Sequence, residues 1–229
     1  MARYGRSANG LVPQFAVLAA ACALTLTSAT HGWGDEEVRE FSVTIKNRPA
    51  GRYRMTINSQ NGGVVTMTGE ANVEFKQFLL RYKYFYRGTE TWQNGRLVQL
   101  DSSSNDDGKA FTVSASAQQN SLRVVVNGRP HNTRPDVWTT TYWKLADPKF
   151  RNQAVPLIDA DTGRDIEAQM RYVGANLITV AGQQLNCSHY QLSGGNLQID
   201  LWYDAQERLV REQSVEQGQI MLLELQSIR

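Results

Sequence analysis

The chain has 229 residues, 41% hydrophobic and 20% charged, which supports one core of up to roughly 200 residues and excludes a disordered or fibrous chain. The formal charge of +2 comes from Arg3 and Arg6 alone, so everything after residue 34 is balanced and has no electrostatic reason to bind nucleic acid.

Residues 1–29 read as a signal peptide. Arg3 and Arg6 form a basic start, the apolar run from Phe15 to Leu26 has export-signal length, and Thr27-Ser28-Ala29 offers small residues for cleavage. The run falls short of the about 20 apolar residues that span a bilayer, so no stable membrane span is expected in the mature form; an uncleaved anchor is the competing reading. Ala19-Ala20-Ala21-Cys22 resembles a lipobox, but Ala19 stands where leucine is usual and the apolar run continues past the cysteine. Ordinary cleavage, with a start near Thr30, is therefore favoured over a lipoprotein anchored at Cys22. The expected location is the periplasm or the extracellular space. Residues 30–36 form a flexible lead-in and residues 37–229 a single domain. Cleavage leaves Cys187 without a partner, so the fold rests on its core rather than on a disulfide.

From residue 41 onward the apolar pattern has period two. Phe41, Val43 and Ile45 share one face, and Tyr53, Met55 and Ile57 repeat it. Ile166, Ala168, Met170 and Tyr172 do so again, as do Leu197, Ile199, Leu201 and Tyr203. Such alternation predicts antiparallel sheet with one buried face. Asn61-Gly62, Asn94-Gly95 and Asn127-Gly128 suit tight hairpins, because both residue types tolerate positive φ. Their equal spacing is matched by no repeat of side chains. With Asp107-Gly108, Gly182 and Gly194-Gly195 as further turns, about ten to twelve strands are expected. The predicted class is all-β: an antiparallel barrel or half-barrel, with one short helix on a long crossover.

In the stretch LRYKYFYR, residues 80–87, a strand places Leu80, Tyr82, Tyr84 and Tyr86 on one face and the cations Arg81, Lys83 and Arg87 on the other. With the cations in solvent, the tyrosines point inward, and each buried hydroxyl calls for a partner. Such a face suits a partly wet groove or barrel mouth. The simpler alternative is that the hydroxyls reach the rim and pack there.

Residues 129–158 break the rhythm with Pro130, Pro135, Pro148 and Pro156. Between them, Trp138, Tyr142 and Leu145 have helical spacing and Asp136 is placed to cap, whereas Thr139, Thr140 and Thr141 favour strand. A short helix over 136–145 is predicted. Its apolar stripe is too small to stand alone in water, so Trp138 is expected to dock on the face of Tyr82 and Tyr84, as a plug or as a lid.

Further along, Asp159, Asp161 and Asp165 resemble a calcium loop, but Gly163 comes one position early and Met170 stands where a glutamate is needed, so a hairpin turn is the better reading. Cys187 and His189 share a strand face, the geometry of a nucleophile or half a metal site; a packed Cys beside a hydrogen-bonded His is simpler. Asp200 and Asp204 flank Trp202, but four strand residues span about 13 Å, too far for a glycosidase pair.

The order of aromatic crossover, Leu157-Ile158-Asp159-Ala160-Asp161-Thr162-Gly163, then Ile199-Asp200-Leu201-Trp202-Tyr203-Asp204 and a closing hairpin resembles exported bacterial cell-envelope domain families of unknown function, over about residues 37–228. The resemblance implies a curved antiparallel sheet or barrel in the envelope and no established activity, so no catalytic residue is carried over. No cofactor or metal is expected. The leading expectation is a non-enzymatic binding module for an amphiphilic or carbohydrate-like ligand, or for an envelope protein partner, through Tyr82, Tyr84, Tyr86, Trp138 and Tyr142. A hydrolase with carboxylates drawn from several strands, and a structural assembly factor, are the alternatives.

Overall fold

The computed structural model describes residues 35–229 apart from 78–79, 196 and 217–218. The expected signal peptide, with Cys22, lies outside these residues. The first half is a meander of β1 (Asp35–Ile45), β2 (Arg48–Gln60), β3 (Val64–Gln77), β4 (Leu80–Gln93), β5 (Arg96–Asp106), β6 (Lys109–Ala117), β7 (Leu122–Val126) and β8 (Arg129–Thr133). Asp35 and Glu36, expected in the lead-in, already belong to β1. The second half holds β9 (Trp138–Thr139), a 3-10 turn (Pro148–Phe150), β10 (Ala154–Ile158), β11 (Asp165–Val180), β12 (Gln183–Gly194), β13 (Leu197–Tyr203), β14 (Leu209–Glu216) and β15 (Gln219–Ile228).

All these strands join one 15-stranded sheet, in the order β8-β7-β6-β5-β4-β3-β2-β1-β15-β14-β13-β12-β11-β10-β9. The first strand thus pairs with the last at the centre, and both sheet edges come from the middle of the chain. Every ladder is antiparallel except β9 on β10. The alternation predicts most of the buried face: Phe41, Val43, Ile45, Tyr53, Met55, Ile57, Ala168, Met170, Ile199, Leu201 and Tyr203 are buried and Ile166 and Leu197 half-buried, but Tyr172 is exposed, beside a register shift in the β11–β12 ladder. Asn94-Gly95 and Asn127-Gly128 adopt positive φ at both residues, as tight hairpins require. The turns at Asn61 and Asn94 fall at one end of the sheet and that at Asn127 at the other, so their spacing marks no repeat.

The sheet curls until its two ends overlap instead of closing. The hairpin turn between β10 and β11 sits on the concave face of β4 to β7. There the Ser102 hydroxyl donates to the Ala160 carbonyl, and the Ser104 hydroxyl donates to Asp161 O at 2.9 Å. Gly163, at φ +69°, lies so close to β6 and β7 that an added Cβ would stand 2.4 Å from Val126 Cγ2 and 3.2 Å from Val113 Cγ1. Only glycine permits both that φ and that approach.

No helix forms over 136–145, contrary to the helical spacing of Trp138, Tyr142 and Leu145. Trp138 and Thr139 pair in parallel with Leu157 and Ile158 as β9, and the rest of the segment is turn and irregular chain. The β-branched threonines prevail because their hydroxyls have buried work to do, described below. Asp136 caps nothing; it pairs with Arg134 at 3.1 Å and Lys149 at 3.5 Å. The short helix on the crossover is instead the 3-10 turn, whose N-terminus is capped by the Asp147 side chain through Lys149 N.

Candidate functional site

The cations of LRYKYFYR are outside and the tyrosines inside: Arg81, Lys83 and Arg87 are exposed, Tyr82 and Tyr84 half-buried and Tyr86 buried. The β10–β11 turn reaches this face. The Tyr84 hydroxyl donates to Asp161 Oδ2 at 2.7 Å. Tyr86 lies across Gly88, whose absent Cβ would stand 2.2 Å from the Tyr86 hydroxyl oxygen. Tyr53 lies likewise over Gly69, at 2.6 Å, and Gly69 and Gly88 are cross-strand partners. A pair of facing glycines thus makes a flat floor for two rings, which touch edge to face at 6.5 Å. The Tyr86 hydroxyl is buried without a hydrogen-bond partner among the described residues, unlike the expectation that it would find one, and so is that of Tyr142. Burial pushes the pKa values of both tyrosines well above the ordinary range.

The crossover is held by a buried carboxylate that the sequence reading passed over. Glu90, on β4, is 0% exposed. Its carboxylate accepts from the Trp92 indole at 2.8 Å, Thr139 Oγ1 at 3.1 Å, Thr141 Oγ1 at 2.7 Å and the Trp143 indole at 3.2 Å. Three of the four donors come from the crossover, so this one side chain ties residues 139–143 to the sheet. Burial raises the Glu90 pKa above the ordinary carboxylate range, and the four donors pull it partly back. On the other flank the buried Arg39 donates to the Trp143 carbonyl and to Glu37. Tyr203 Oη donates to Tyr142 O at 3.0 Å. Tyr142 itself has φ +47°, a strained conformation for a bulky side chain that this packing enforces. Trp138 is 5% exposed, meets Tyr142 edge to face at 5.1 Å and donates its indole N–H to Lys144 O at 3.1 Å.

Of the five predicted ligand residues, then, Tyr84 is bonded to the β10–β11 turn, Tyr86 packs on Tyr53 within the sheet, Tyr142 lies in the crossover against Trp138, and Tyr82 packs half-buried against the core. Trp138 reaches further: it also lines a cleft of about 350 Å³ at the end of the roll where the β4–β5 and β6–β7 turns meet the crossover. Trp92 and Phe150 share that wall, with Arg96, Asn120 and Lys149 among the polar lining. The Glu90 bond orients Trp92, and the Lys144 carbonyl orients Trp138, so both rings are fixed before any ligand arrives.

The remaining candidate groups are engaged elsewhere. Asp161 and Thr162 bond to the Asp159 side chain within the hairpin turn, at 3.0 and 2.7 Å. Asp200 bonds to His189 Nε2 at 2.7 Å on the convex face, where His189 stacks on Trp202 with ring centroids 4.3 Å apart. Trp202 donates in turn to Asn176 Oδ1 at 3.2 Å. Asp204 accepts from Arg208 Nε at 2.8 Å within a turn. Cys187 is wholly buried, and burial, with help from Asp204, pushes its thiol up to about 11. A thiol of that pKa is not a nucleophile near neutrality. We expect iodoacetamide to label Cys187 only on unfolding, and Cys187→Ala to fold with a loss under about 2 kcal/mol. Fast labelling of the folded protein would assign the thiol a chemical role. Among the described residues no helix is long and apolar enough to cross a membrane.

A family model described as a domain of unknown function, DUF6134, matches residues 41–226. No curated protein matches the chain. Among solved structures, the chain is similar to the crystal structure of a beta-barrel-like protein of the domain of unknown function DUF1849 from Brucella abortus. The TM-score is 0.63 at 9% identity, covering 84% of this chain and 96% of that one. At that identity the likeness concerns the fold alone.

Proposed function

We propose that this chain, which belongs to the DUF6134 family of domains of unknown function, is an exported, non-enzymatic module that binds a small amphiphilic or carbohydrate-like ligand in the cleft beside Trp138. The observation that carries this reading is the cleft itself: about 350 Å³, within the usual range for small-molecule sites, with aromatic rings held in place from behind. Of the tyrosines, Tyr142 supports the cleft by packing against Trp138, while Tyr84 and Tyr86 lie further along the inner face of β4.

The filled concave face favours a second reading, a structural assembly factor, and one preparation separates the two. The protein is purified from its own envelope and weighed by native mass spectrometry, then titrated with a small-molecule extract of that envelope while the indole N–H signals of Trp92 and Trp138 are followed. The binding reading expects a mature chain beginning near Thr30 and a shift of those two signals. A protein partner that co-purifies, with no response to the extract, would replace it by the assembly role. A diacylglycerol mass on a chain starting at Cys22 would replace free export by a lipid anchor.

A further inference from the structure

From the composition of the cleft wall we infer that its ligand is a neutral carbohydrate; this rests on the cleft being the binding site.

The wall combines one half-buried indole, Trp92, backed by the buried rings of Trp138 and Phe150, with planar polar groups. Its apolar part is aromatic, from Trp92, Trp138 and Phe150, and its aliphatic part is limited to Pro135 and Val137. An acyl chain gains about 0.8 kcal/mol per methylene only where apolar surface surrounds it. The aliphatic side chains that would do so, such as Leu97, Leu100 and Leu157, are packed away in the core. A sugar ring has the matching duality, since its C–H face lies on an indole while its hydroxyls take hydrogen bonds from side-chain amides.

The charges in the wall are already committed. Asp136 pairs with Arg134 and Lys149, and Asp147 caps the 3-10 turn. Arg96 donates to Pro135 O at 3.2 Å and Gln118 O at 2.8 Å. Two cations and two carboxylates line the cleft, so it carries no net charge with which to attract an anionic or a cationic ligand. By contrast the Gln119 and Asn120 side chains are exposed at the cleft, with no hydrogen-bond partner among the described residues. They sit on the β6–β7 turn and line the cleft together with Trp92, whose ring is fixed by Glu90. Each amide offers both donors and an acceptor, the pattern that vicinal hydroxyls satisfy.

The test uses the full mature chain labelled with ¹⁵N and three neutral trisaccharides: maltotriose, cellotriose and triacetylchitotriose. Lysophosphatidylcholine is the amphiphile control. At about 10 mM, tenfold above a millimolar Kd, at least one trisaccharide should shift the Trp92 and Trp138 indole signals. Trp202, on the convex face, should stay still. Gln119→Ala and Asn120→Ala, both on an exposed turn, should each weaken binding by up to about tenfold without altering the unbound spectrum. If no trisaccharide moves Trp92 and Trp138 but lysophosphatidylcholine does, the carbohydrate assignment falls and the binding site stands. If nothing moves them, and the native preparation and envelope extract are silent too, both fall. A sugar that shifts Trp202 alone, or that binds the Asn120 variant unchanged, also overturns the assignment.

Discussion

Replacing Glu90 by alanine is expected to cost about 3–5 kcal/mol in urea unfolding. The change strands two indole N–H groups and two hydroxyls in a dry interior. Unsatisfied buried donors cost about 1–3 kcal/mol each, and neighbours that share one acceptor do not add fully. Glu90→Gln keeps one acceptor oxygen but turns an NH₂ toward groups that are themselves donors, so a loss of about 1–2 kcal/mol is expected. The pH dependence has a definite sign. Burial raises the Glu90 pKa in the folded state, so the folded chain holds that proton more tightly than the unfolded one, in which glutamate titrates near about 4.3. The stability linked to this proton is fully present below about pH 4.3 and is lost as the pH rises through the folded value. The advantage of the native protein over Glu90→Gln should therefore shrink as pH rises across that window. A difference that stays flat, or grows with pH, would show that the four donors outweigh burial.

Trp138→Ala is expected to destabilise the protein by about 3–5 kcal/mol, the range for truncating a buried large aromatic. The ring is 5% exposed, it packs on Tyr142, and its N–H is spent on Lys144 O. Its loss opens a cavity beneath the cleft and removes one wall of it, so ligand response should fall along with stability. A lid would behave otherwise: the substitution would leave unfolding nearly unchanged and alter only ligand retention. The two outcomes differ by several kcal/mol, well beyond the error of a denaturant titration.

Much of the fold was legible in the sequence because antiparallel strands advertise themselves by period two, and hairpins by Asn-Gly and Asp-Gly. The strand count was low because the segment read as helix and crossover holds β9 and β10, which with two and five residues are too short to show an alternation. The helix over 136–145 was misread because Trp138 and Tyr142 do come together, but across a strand end and a strained turn and not along a helix. The burial of Trp138 and Tyr142 was readable, since apolar side chains on a polar crossover need cover, but not its place: Trp138 packs on Tyr142 at the Glu90–Trp92 end of β4 rather than on Tyr82 and Tyr84. Glu90 was the readable residue that was missed. The parity that turns Tyr82, Tyr84 and Tyr86 inward continues through Gly88 to Glu90 and Trp92, so a carboxylate on the buried face followed from the same count. The donors around it lie about 50 residues downstream, and no local pattern announces such a partner. The cleft is of the same kind, assembled from two turns and a crossover that are distant in sequence.

Whether the crossover is a permanent part of the core decides which surface is free to bind. Native-state hydrogen exchange reads this directly. The amides of Thr140, Tyr142 and Leu145 bond to Ile158 O, Thr139 O and Glu207 O. In a permanent plug they exchange only when the whole sheet unfolds, with the same free energy and denaturant dependence as the amides of β1 and β2 at the sheet centre. Exchange of these three amides through a lower-energy opening, while β1 and β2 stay protected, would contradict it and return the tyrosine face to the role of binding site.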